Sequence, residues 1–176
     1  MRVYLAGPDV FFPDPLNWAA RRAAICAAHG LTAISPFDPF IEPPAWITLA
    51  KADRIARRNE AHIRAADAII ANLTPFRGPS ADVGTVYEIG FARALGLPVY
   101  AYTTTTALLS DRTGPGTHDA DGLEIERFGL HENLMIDAAV REAGVLIALD
   151  RPGWNDLDAF TACVQAVARR SIPAPG

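Results

Sequence analysis

Ala68-Ile69-Ile70-Ala71-Asn72-Leu73 is apolar on both of the faces a strand presents. A strand with one wet face alternates apolar and polar residues; one without that alternation is covered on both sides, as in the middle of a parallel sheet. Working outward, Val3-Tyr4-Leu5-Ala6 is a second short apolar strand and ends at Gly7-Pro8. Asp14-Pro15 reads as an N-cap and first helical residue, opening a helix through Trp18, Ala23 and Ile25 to His29, with Gly30 as its stop. Leu31 to Phe37 is a further strand, broken by the proline-rich stretch Pro36 to Pro44, and a longer helix covers Ala45 to Ala66. On the other side, the polar loop Thr74 to Asp82 leads into a helix from Val83 to Leu95, closed by Gly96. Pro98 to Tyr102 and Val145 to Leu149 are the last strands, and Asn133 to Ala143 and Leu157 to Arg170 the last helices. Thr103 to Glu132, with Gly114-Pro115-Gly116 inside it, is irregular and too long for a simple connection; such loops are commonly functional covers.

Five strands joined by helices predict an α/β fold with a doubly wound parallel sheet, since strand–helix–strand crossovers are right-handed and cover both faces. The expected strand order is flavodoxin-like, 2-1-3-4-5, in a single domain over residues 1–176, with no internal repeat and no linker. In that order ligands bind at the carboxyl ends of the strands, near the switch point between strands 1 and 3. The loops after Leu5, Phe37, Leu73 and Tyr102 are therefore where a site is expected.

Composition narrows the chemistry. The chain has 176 residues, 50% of them apolar and 20% charged, with a formal net charge of −4. That is enough apolar residue to bury about two thirds of the unfolded surface and too little net charge for disorder. Mild acidity speaks against a nucleic-acid polymer as partner. No apolar run approaches the roughly 18 residues of a membrane span. Met1-Arg2-Val3-Tyr4-Leu5-Ala6 enters a strand directly, with no signal peptide, so a cytoplasmic protein is expected. Cys26 and Cys163 stand alone in Ala-rich stretches and read as small buried hydrophobes. His29, His62, His118 and His131 show no metal-ligand spacing, so no metal is expected. Lys51 is the one lysine, in no special context, which removes Schiff-base chemistry and P-loop phosphate transfer; no cofactor is expected. Carboxylate chemistry remains.

Glu88 is the most informative carboxylate. On a helix from Val83 it shares a face with Phe91, Ala92 and Leu95, and an unpaired charge heading an apolar stripe is costly. It either reaches solvent or a loop amide, or it is kept for chemistry. Asp82 reads first as a helix cap, yet it flanks the same entrance, and two carboxylates on one cleft is the arrangement of glycosidic-bond chemistry. Tyr4 is either core or a hydroxyl reaching the site. Asn59, a poor helix former within a helix, reads as kept for a side-chain contact, and Asn133 reads first as an N-cap. Arg54, Arg57, Arg58 and Arg64 read as a solvated helix face. Gly7-Pro8 is no phosphate loop, because Gly-x-Gly-x-x-Gly is absent.

Four stretches together resemble the nucleoside 2-deoxyribosyltransferase family: Tyr4 to Phe11, Asp67 to Leu73, Ser80 to Gly90, and Phe128 to Ile136 with its Asn133-Leu134-Met135 element. The resemblance runs from Arg2 to about Arg170. It implies a double displacement on nucleosides and free nucleobases, part of nucleoside salvage, in which Glu88 attacks the anomeric carbon and holds a covalent deoxyribosyl ester. It further implies that Tyr4 orients Glu88 and that Asp82 binds a sugar hydroxyl, the 5′-OH. Gly7, Asp9, Asn59 and Met135 would join the substrate site. Asn133 would reach the sugar of a neighbouring subunit, making the active unit a homodimer or larger.

Asn59 departs from part of the family, in which an aspartate at this position handles the leaving base. Asparagine hydrogen-bonds but donates no proton by ionising, so Asp9 and an ordered water are the candidate donors. A nucleoside 5′-monophosphate N-glycosidase on the same scaffold is the alternative, with Arg77 or Ser80 as phosphate donors. A non-catalytic nucleotide-binding module is the second alternative.

Overall fold

Strand alternation sends Val3 and Leu5 of β1 (Arg2–Ala6) to one face of the sheet and Tyr4 and Ala6 to the other. That sorting organises the fold and decides which helix layer Tyr4 meets. In the computed structural model, which describes residues 1–171 except Pro152 and Asn155, five parallel strands form one sheet in the order β2-β1-β3-β4-β5. β1 lies between β2 (Thr32–Ile34) and β3 (Ala68–Asn72), with Tyr4 opposite Ile34 on one side and Ile69 on the other. β4 (Val99–Thr103) and β5 (Leu146–Ala148) complete the sheet. Every residue of β3 and β4 is buried, as their unbroken apolar runs predict. The last five residues of the expected domain lie outside the described residues.

Tyr4, Ala6, Ile69 and Ala71 pack under α2 (Lys51–Ala65), α3 (Val83–Ala94) and α5 (Leu134–Ala143), through Ile63, Ile89 and Val140. Val3, Leu5, Ile70 and Tyr102 pack under α1 (Pro15–Ala28) and α6 (Asp158–Ser171), where Cys26 and Cys163 are buried as small hydrophobes. Among the described residues no helix is long and apolar enough to cross a membrane.

Several expectations are corrected. Asp14 precedes α1, but its backbone is left-handed (φ 55°) and its side chain caps nothing; Pro15 alone sets the helix start. The strand expected from Leu31 to Phe37 keeps three residues, and the helix expected from Ala45 begins at Lys51, because the prolines up to Pro44 permit only a short 3-10 turn, Pro44–Trp46. Thr103 to Glu132 contains a helix, α4 (Leu109–Thr113), and an antiparallel bridge between His118 and Glu124. The basic run is solvated as expected at Arg57 and Arg64, which are exposed and lie over the rings of Trp46 and Phe91, while Arg54 pairs with Glu42 at 2.6 Å.

A charge enters the core from α1. Trp18, Arg22 and Cys26 share the buried stripe of α1, and Arg22 is 4% exposed. Its Nη1 donates to Asp9 Oδ2 at 2.5 Å, and its guanidinium lies 4.7 Å from the centroid of Phe160. Removing one partner of a buried pair leaves the other charge uncompensated. Arg22→Ala therefore lowers the unfolding free energy by about 3–5 kcal/mol in urea titration; a loss below about 1 kcal/mol contradicts a structural role for the pair.

Candidate active site

The site begins at a helix entrance. Asp82 is the N-cap of α3: its Oδ2 accepts from the Thr85 amide at 2.9 Å and the Thr85 hydroxyl at 3.2 Å. A Cβ on Gly84 would stand 3.0 Å from that oxygen, so the glycine leaves the cap its room. Two turns of helix then carry Glu88 toward the sheet, where Tyr4 is fully buried on the face turned to α3. Tyr4 Oη donates to Glu88 Oε1 at 2.7 Å, and Asn59 Nδ2 from α2 donates to the same oxygen at 3.3 Å. Both bonds fall on Oε1, so Oε2 is the oxygen left for a ligand.

This carboxylate lies on a cavity of about 370 Å³ between α2 and α3, walled by Ala52, Ile55, Ala56, Ile63, Gly84 and Tyr87. At the rim Tyr87 Oη donates to Glu60 Oε1 at 2.5 Å. The volume is in the range that encloses a small molecule, and the walls are apolar apart from Glu60, Asn59 and Glu88. Burial pushes the Glu88 carboxyl up to about 7; the Tyr4 and Asn59 bonds oppose the rise and the nearby Asp82 charge adds to it. Burial and the Glu88 charge hold the Tyr4 hydroxyl well above its usual range, so it stays a donor. Asn59 Oδ1 is buried and has no partner within the chain. The arrangement is a half-buried, oriented carboxylate that ionises near neutrality beside an apolar slot.

Tyr4, Asn59, Asp82 and Glu88 thus come together, while the other expected site residues stand apart. Asp9 has both oxygens engaged, Oδ2 by Arg22 and Oδ1 by Asn72 Nδ2 at 3.4 Å. It anchors the loop after β1. Gly7 permits that anchor, because a Cβ there would lie 2.3 Å from Asp9 Oδ2 and 2.9 Å from Asn72 Cβ. Asn133 is the N-cap of α5, accepting from the Met135 amide at 3.0 Å, and its Nδ2 donates to Glu126 Oε1 at 2.7 Å. Met135 is 71% exposed, and neither residue lines the cavity. Of the phosphate donors named for the alternative, Ser80 Oγ donates to Glu132 at 2.5 Å, while Arg77 stacks on Phe11 and Phe76.

Sequence reasoning passed over Arg22, although the spacing of Trp18, Arg22 and Cys26 puts it on the buried stripe. It also passed over Glu132, 1% exposed, whose burial no local pattern announces. Among the described residues no three His, Cys, Asp or Glu side chains gather as a metal site would require.

A family model described as nucleoside 2-deoxyribosyltransferase matches residues 3–135. A solved 2-desoxiribosyltransferase from Leishmania mexicana is 30% identical, with a TM-score of 0.73 over 97% of this chain and 99% of that one. An uncharacterized protein of Schizosaccharomyces pombe is 28% identical over 96% of this chain and 89% of its own length. A CMP N-glycosidase from Clostridium botulinum, 15% identical with a TM-score of 0.51 over 95% of this chain and 99% of that one, shares the fold.

The raised Glu88 carboxyl has a consequence that needs no ligand. Since it ionises near pH 7 when folded and near 4.5 when unfolded, the unfolded chain gives up its proton first, and stability falls as pH rises through that window. Glu88→Gln removes the charge and keeps the acceptor. It raises the melting temperature at pH 8 by roughly 2–4 °C, with a smaller gain at pH 5. An equal change at both pH values contradicts the burial argument.

Proposed function

We propose a function from one premise: the chain belongs to the nucleoside 2-deoxyribosyltransferase family. It transfers a 2-deoxyribosyl group from one nucleobase to another, a salvage reaction on nucleosides and free bases. The observation that carries this reading is the Glu88 carboxylate, oriented by Tyr4 and Asn59 on the floor of an apolar slot. Glu88 Oε2 attacks the anomeric carbon, the bond from that carbon to the base nitrogen breaks, and a deoxyribosyl ester forms on Glu88. An incoming base attacks the same carbon, and the carboxylate leaves. Tyr4, fixed by the core, holds Oε1 so that the attacking oxygen needs little reorganisation.

Asp82 takes the 5′-OH of the sugar through its remaining acceptor capacity. Asn59 meets the base with its unpartnered Oδ1. With Asp9 engaged by Arg22 and Asn72, and Asn59 unable to ionise, water gives the proton to the leaving base and takes one back from the incoming base. Asn133 and Met135 stand at the exposed start of α5, outside the cavity of their own chain, which suits residues that complete a neighbouring subunit's site in a homodimer or larger assembly. The Ser80 hydroxyl, already given to Glu132, favours a nucleoside over a nucleotide, because a 5′-phosphate needs free donors.

Incubation with 2′-deoxyinosine and adenine, followed by chromatography, tests the reaction: deoxyadenosine forms with the unmodified protein and not with Glu88→Ala. Hypoxanthine released equally with and without adenine contradicts transfer and marks a hydrolase. Because the nucleophile is the ionised carboxylate, kcat/KM climbs through pH of about 7 and then levels. Tyr4→Phe lowers kcat by roughly 10–100-fold with the protein still folded; an unchanged kcat contradicts the orienting role.

A further inference from the structure

We infer that Glu132 is a positioning residue that holds the two sugar-binding segments, Ser80–Asp82 and Asn133–Met135, in register with each other, with Arg112 as its counter-ion. The inference rests on the reading above that Asp82 and Asn133 bind sugar. A carboxylate that is 1% exposed is expensive to bury, and this one is surrounded on every side that matters. From the loop after β3, Ser80 Oγ donates to its Oε2 at 2.5 Å, and the Ala81 amide faces it one residue before Asp82. From the start of α5, the amide of Asn133 faces the same carboxylate, and Glu132's own amide donates to Asp137 Oδ2 at 3.0 Å.

Arg112 closes the network from α4. Its Nη2 donates to Glu132 Oε1 at 2.7 Å and to the His131 carbonyl at 2.6 Å; its Nε donates to the Pro79 carbonyl at 2.7 Å, and its Nη1 to the Ala107 carbonyl at 2.8 Å. One ion pair therefore binds three separate stretches: the entrance of α3, the long connection after β4, and the entrance of α5. Asp82 lies two residues from Ser80, and Asn133 directly follows Glu132. Neither segment is held in place by regular secondary structure before its cap residue. A shift of the Glu132 carboxylate moves both caps together, while Glu88 keeps its bond to the core-fixed Tyr4.

Two readouts separate this role from general support of the fold. In Glu132→Gln, KM for 2′-deoxyadenosine rises by about tenfold with kcat nearly kept, while kcat/KM for 2′,5′-dideoxyadenosine, which offers Asp82 no 5′-OH, changes less than about threefold. Amide hydrogen exchange in the same variant speeds up at residues 80–82 and 133–135 together, with β1 and β3 still protected. If Glu132→Gln does not fold, Ser80→Ala removes one donor and gives the same pattern at smaller amplitude. Equal losses with both nucleosides, or exchange that quickens at one segment alone, overturn the inference. Absence of base exchange by the unmodified protein refutes the proposed reaction; the hydrogen-exchange pattern then decides the coupling by itself.

Discussion

A carboxylate set against an apolar slot loses hydration, and the 2.7 Å bond from the buried Tyr4 hydroxyl to Glu88 Oε1 offsets part of that loss. The rest of the structure is arranged around this bond. Tyr4 reaches α3 because strand alternation sends it to the same sheet face as Ala6, and β1 stands at the middle of the sheet with β2 and β3 on its flanks. Glu88 reaches Tyr4 because Asp82 fixes where α3 begins, and Asn59 adds a second donor from the facing helix. Two donors do not fully replace water, so the carboxyl titrates near neutrality. A carboxylate that ionises near neutrality is kept there at the expense of some stability.

Two buried ion pairs hold the loops above this floor. Arg22–Asp9 fixes the loop after β1 from below, reaching through Asn72 to the end of β3, where Asn72 Oδ1 accepts from the Thr74 amide at 3.1 Å. Arg112–Glu132 fixes the entrances of α3 and α5 from the side. Each buries charge that hydrophobic packing would replace more cheaply, and each joins segments far apart in sequence. The loops at the carboxyl ends of β1 and β3 are thereby tied down, while Tyr87, at the rim of the slot, is exposed.

The buried central strand and the inward-facing place of Glu88 were legible because both rest on local periodicity: an apolar run without alternation at Ala68–Leu73, and a carboxylate on an otherwise apolar helix face. The N-caps Asp82 and Asn133 were legible for the same reason, since capping is a short-range matter. Asp14 shows where that reasoning stops: the residue type fits a cap, but a left-handed backbone aims its side chain elsewhere. The commitments of Asp9 to Arg22 and of Ser80 to Glu132 bridge 13 and 52 residues, and no spacing rule reaches across the turn and loops between them. Side-chain roles fixed by tertiary partners were therefore hidden, and Asp9 looked like a free acid.

Peptide mapping of acid-quenched protein after brief exposure to 2′-deoxyadenosine tests the central claim most directly. The account predicts a mass increase of one deoxyribosyl group on the peptide that holds Glu88, removed when adenine is added before the quench. Turnover of the nucleoside with no such adduct on Glu88, or an adduct on another carboxylate such as Asp82, contradicts it.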